Sequence, residues 1–112
     1  MTMTLTLTEH LDAEPVAVAN GLTRAVLVGL DAAASRIDAE RQEADIQPTP
    51  EGVRVSDGTH VLSGTELRVS GISGLTTLEM MVPWTTADGG GTKYLAANTF
   101  VNTVAFEVCS AA

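Results

Sequence analysis

The chain offers few side chains that could do chemistry. Its histidines are His10 and His60, and its one cysteine is Cys109. A structural or catalytic metal site needs three or four ligands at defined positions. His10 stands beside Glu9, Asp12 and Glu14, a set that suits a solvated helix start better than a metal. Asp57 and His60 flank an Asp-Gly turn and need not converge. Glu66, Glu79 and Glu107 could supply paired carboxylates for acid–base work, but each alternates with apolar residues and reads as the wet face of a strand. The run GGGTK (89–93) invites a phosphate-loop reading. It fails the G-x-x-x-x-G-K-[ST] pattern, because threonine precedes the lysine and no Ser or Thr follows it. Cys109 lies between an apolar segment and a short Ser-Ala-Ala tail, with nothing nearby to activate a thiolate. No G-x-S-x-G elbow is present. No catalytic, cofactor-binding or metal-ligating residue is therefore assigned, no cofactor is expected, and the balance leans away from an enzyme.

Composition narrows the classes further. A chain of 112 residues is one domain. Apolar residues make up 45% and aromatics 4%, so the core must be aliphatic. Six basic residues stand against fourteen acidic ones, a net charge of −8. That balance disfavours nucleic acid, whose phosphates call for a basic stripe, and anionic membranes likewise. One cysteine cannot close an internal disulfide, which fits a reducing compartment. Residues 1–8 lack the basic and continuously apolar parts of a signal peptide. The stretch at 16–34 approaches membrane-span length, but Arg24 and Asp31 interrupt it, so it reads as a buried helix. A cytoplasmic or virion location is expected.

The elements that must position any site are clearer. In MTMTLTLT (1–8) Met1, Met3, Leu5 and Leu7 share one face and four threonines the other, the period of a strand. A helix is expected from about Pro15 to Glu43, with Leu22, Val26, Leu30, Ala33 and Ile37 as its stripe. Gly21, Ala25 and Gly29, four apart, form a small-residue groove open to another backbone. DIQPTPEG (45–52) reads as a linker. Asp57-Gly58 predicts a two-residue hairpin with Val55 opposite His60. Thr65–Ser70 and Leu75–Trp84 form a second pair, with Leu67 and Val69 on the inner side of one strand and Leu78, Met80, Val82 and Trp84 on one face of the other. Pro83 places that strand's end at an edge or bulge. TTADGGGTK (85–93) reads as a loop. Residues 94–109 read as a strand with Phe100, Val104, Phe106 and Val108 on one face, with a helix over Tyr94–Thr99 as the alternative because LAAN suits one. The fold class is α+β: an N-terminal arm or edge strand (1–12), then one domain (13–112) with a long helix packed on an antiparallel meander of four to six strands.

Three functions follow. The first is a non-enzymatic assembly subunit whose partners are other copies of itself, or another protein of the same assembly. Its arm would add to a neighbour's sheet, with Met1, Met3, Leu5, Leu7, Gly21, Ala25, Gly29 and Trp84 as interface candidates. In element order alone, a long helix followed by hairpins resembles small tailed-phage virion proteins of the neck, tail-terminator or capsid-associated kinds. The second is a small enzyme or ligand-binding domain with a pocket between helix and sheet, using His60, Glu79 or Tyr94. The third is an acidic regulator that presents the acids of positions 31–51 to a basic partner.

Overall fold

The computed structural model describes residues 2–37, 44–56, 58–85 and 91–110. Met1, Asp57, the expected helical turns at 38–43 and most of the expected loop at 85–93 lie outside them. The fold is α+β. Five strands, β1 (Thr2–Leu11), β2 (Ile46–Thr49), β3 (Gly52–Val55), β4 (Glu66–Ile72) and β5 (Leu75–Thr85), form one antiparallel sheet in the order β1-β5-β4-β3-β2. Two helices, α1 (Pro15–Arg36) and α2 (Gly91–Ser110), pack on one face. α1 lies over β3, β4 and β5, and α2 over β1 and β5.

The period-two pattern of residues 1–8 does make a strand, but its sheet belongs to this chain. β1 pairs with β5 from Thr2↔Thr85 to Leu11↔Thr76. The expected arm is thus an edge strand of the domain itself. The reason lies in β5, whose Leu78, Met80 and Val82 are fully buried and need a neighbour on the side away from β4. Leu5 and Leu7 supply it by packing against that core. The expected hairpin of β4 and β5 forms, with a tighter turn at Ser73–Gly74 than the expected 71–74, and sets Leu67 opposite Met80 and Val69 opposite Leu78. Pro83 lies beyond the last β4 partner, Met81, so its missing N–H interrupts no β4–β5 bond.

Two other expectations are corrected. Residues 94–109 form a helix, not a strand. Phe100, Val104 and Val108 stand four apart, a spacing that satisfies a period of 2 and nearly satisfies 3.6. The adjacent buried pairs Ala96–Ala97 and Phe100–Val101 fit only the helix, and Phe106, expected inside, is 68% exposed. The expected pairing of Val55 with His60 also does not form. β3 instead pairs with β2, which the supposed linker supplies, and with β4. Pro48 is accommodated because β2 is an edge strand. The segment 58–64 turns back over α1, with Gly64 at φ 85°. There Leu62 is fully buried, and the His60 ring bridges two backbones. Its Nδ1 accepts from Leu62 N–H at 3.0 Å, so Nε2 carries the hydrogen and donates to the Leu30 carbonyl at 3.0 Å.

The small-residue groove on α1 is filled from within the chain at Gly29 and Ala25 but not at Gly21. A β-carbon at Gly29 would stand 2.8 Å from Phe100 Cδ1 and 3.0 Å from Val104 Cγ2, so the glycine admits α2. Ala25 is buried beside it, whereas a β-carbon at Gly21 would meet nothing within 4 Å. α1 is long and apolar enough to cross a membrane by length and composition, yet Val18, Leu22, Val26 and Leu30 on its stripe are buried in the core.

Opposite outcomes are expected at the two glycines in a urea titration. Gly21→Ala gains about 1 kcal/mol from helix propensity. Gly29→Ala gains the same propensity but loses about 1–3 kcal/mol to overpacking against Phe100, so it falls below Gly21→Ala in unfolding midpoint. His60→Ala strands a buried amide and leaves a cavity, and should cost about 2–4 kcal/mol.

Candidate functional site

The side chains that could have done chemistry are dispersed. Both His60 nitrogens are committed to backbone, so neither can act as a base. Glu79 lies opposite Thr8 and Arg68, on the sheet face away from the helices, while Leu78 and Met80 beside it point to the core. Tyr94 is half exposed on α2. His10 meets Thr77 Oγ1 at 3.3 Å on the outer face. Cys109 is exposed. Among the described residues no group of three or more His, Cys, Asp and Glu could hold a metal. A groove of about 410 Å³ between the start of α1 and the β2–β3 turn is lined by Pro15, Val16, Pro48, Pro50 and Val53, with Glu51 its one ionisable group. It does not contain His60, Glu79 or Tyr94.

What the fold does expose is backbone. Neighbouring residues of an antiparallel strand direct their N–H and C=O groups alternately to the two sides. Val69 N–H bonds Glu51 O, and Thr65 O accepts from Val55 N–H, so the odd residues at β4 face β3. The even β4 residues therefore face β5, and their partners are Leu75, Thr77, Glu79 and Met81. The even residues of β5 must then serve β1, where they stand opposite Met3, Leu5, Leu7, Glu9 and Leu11. Thr2, Thr4, Thr6, Thr8 and His10 are left with N–H and C=O directed to the open edge. The strand is ten residues long, so this row extends about 33 Å.

The two edges of the sheet are treated differently. β2 is four residues long, contains Pro48 and is flanked by Asp45 and Glu51. Shortness, proline and charge are the ordinary guards against edge-to-edge pairing. β1 has no proline, glycine or lysine, and its one charged side chain before His10 is Glu9.

The interface candidates divide on this geometry. Met1 lies outside the described residues. Met3 is 48% exposed, and Leu5 and Leu7 are half-buried, all on the helix-side face of β1. Trp84 stands opposite Met3, packs against the core and has Lys93 Nζ 5.7 Å from its ring centroid. Ala25 and Gly29 are used inside the chain. The threonines, which carry the outward backbone, were not among the candidates. Their signal was the choice of a β-branched residue at every other position, which marks a strand but not which side of it is paired.

Removal of residues 1–8 is expected to do more than release an arm. It strips β5 of most of its neighbour and uncovers Met80 and Val82, which stand opposite Leu7 and Leu5, so circular dichroism should show a broadened transition at markedly lower temperature. A truncated chain that melts like the full one would contradict the β1–β5 pairing. No family model matches the chain, and neither a curated protein nor a solved structure matches it.

Proposed function

We propose that this chain is a non-enzymatic structural subunit that assembles with other copies of itself. The observation that carries the reading is the ten-residue edge of β1, with a row of outward backbone groups and no guard over residues 2–8. An edge of that kind is a template for strand addition. The chemistry offers no competing role of equal weight, since the one buried histidine is consumed by the fold. The virion setting rests on element order, and a C-terminal helix in place of a C-terminal strand weakens that likeness. The reading proposed is therefore the self-assembling subunit, whatever structure it belongs to.

Light scattering on the full chain over a range of concentrations tests it. A defined oligomer that dissociates on dilution is the expected result. A mass that stays at 11.6 kDa up to high micromolar concentration would exclude self-assembly.

A further inference from the structure

The open edge also specifies its partner. Resting on the assembly reading above, we infer that two copies pair β1 to β1 in antiparallel fashion about a two-fold axis at Thr6, joining two five-stranded sheets into one.

Three observations lead there. The first is parity. The outward groups belong to even residues, and an antiparallel partner must offer outward groups of its own directly opposite. Self-pairing meets this only when the numbers of facing residues sum to an even value. A sum of 12 uses the whole strand: Thr6 faces Thr6, Thr4 faces Thr8, and Thr2 faces His10 of the second copy. About ten backbone hydrogen bonds result. In that register Leu5 faces Leu7 and Met3 faces Glu9 on the helix side, and Thr6–Thr6 and Thr4–Thr8 pairs face each other on the other side. The leucine and threonine pairs are favourable cross-strand neighbours. Shifting the register by two residues either way shortens the ladder.

The second observation is charge. The chain carries fourteen acidic residues, and two copies of it repel. Residues 2–8 contain no charge, and neither do residues 94–106 of α2, the helix that lies over β1. Self-association through this side brings together the least charged parts of a strongly acidic chain, with Glu9 in the ladder set opposite Met3 and not opposite its own counterpart.

The third is area. The edge is about 33 Å long and has the depth of one sheet layer plus one helix layer, about 20 Å. That gives roughly 650 Å² on each copy before side-chain relief, near the ~800 Å² typical of a stable interface. Met3, 48% exposed, and the half-buried Leu5 and Leu7 are apolar groups that this contact would cover.

Proline at position 6 separates this pairing from other modes of assembly. Thr6 N–H points outward, so Thr6→Pro removes an intermolecular donor and leaves the β1–β5 bonds in place. Thr6→Pro is expected to raise the dimer dissociation constant ~100-fold with an unchanged urea midpoint for the monomer, while Thr6→Val keeps the dimer. A second readout does not depend on the proline variant folding. In a Cys109→Ser background, Thr6→Cys should oxidise to a disulfide-linked dimer, since directly opposed residues lie ~5.5 Å apart at Cα. Thr8→Cys should not. If the wild-type chain is an oligomer and Thr6→Pro, folded, leaves its mass unchanged, the β1–β1 pairing is overturned while self-assembly stands. Cross-linking at Thr8 as fast as at Thr6 overturns the register. A monomeric wild type removes the assembly reading itself.

Discussion

The two-residue turn at Ser73–Gly74 sets the hydrogen-bonding parity of the sheet. Gly74 takes φ 79°, which lets Ile72 face Leu75 directly across the turn. From that pair the even residues of β4 serve β5, and the even residues of β5 serve β1. The same alternation sends Leu78, Met80 and Val82 to the helices and Glu79 and Met81 away from them. A slip of one residue would invert every side chain on β5 and with it the whole core. Parity therefore ties two properties together. The strand face that packs Leu5 and Leu7 on the core also fixes which backbone groups of β1 have no partner among the described residues.

Coverage of that core depends on a close helix pair. An aliphatic core with few aromatics gains little area per side chain, so the helices must approach closely to exclude water. Gly29 makes room for Phe100, the largest of the fully buried side chains, and Val104 fills the adjacent space. The 58–64 segment closes the side of α1 not covered by α2, and His60 holds it there through Leu30 and Leu62. The histidine is structural for the same reason that it is unreactive: each nitrogen already has its partner. On the other face of the sheet Thr4, Thr6, Thr8 and Arg68 are exposed and Glu79 is half-buried, and among the described residues no helix covers them.

Much of this was legible in the sequence because local and tertiary demands agree. The alternation of residues 1–8, the α1 stripe from Leu22 to Ala33 and the β4–β5 hairpin each carry a single clear period. The failures come where two periods coincide or where tertiary contacts dominate. Positions 100, 104 and 108 suit a strand as well as a helix. Asp57-Gly58 is a strong turn signal, but Leu62 and His60 are drawn to α1 instead of back along β3. Pro48 and Pro50 mark a linker by composition, yet an edge strand tolerates the first and a turn the second. For the proposed interface, the sequence draws attention to the apolar side chains of β1, whereas the groups that no described strand pairs are the backbone amides and carbonyls of its even residues.

Residue-resolved amide hydrogen exchange on β1 tests that claim most directly. In dilute solution Leu5, Leu7 and Glu9, bonded to β5, should exchange slowly, while Thr4, Thr6 and Thr8 exchange fast. At concentrations where the mass has risen, the threonine amides should become protected as well. Alternating protection that persists unchanged in the assembled state would show that the β1 edge is not where copies meet.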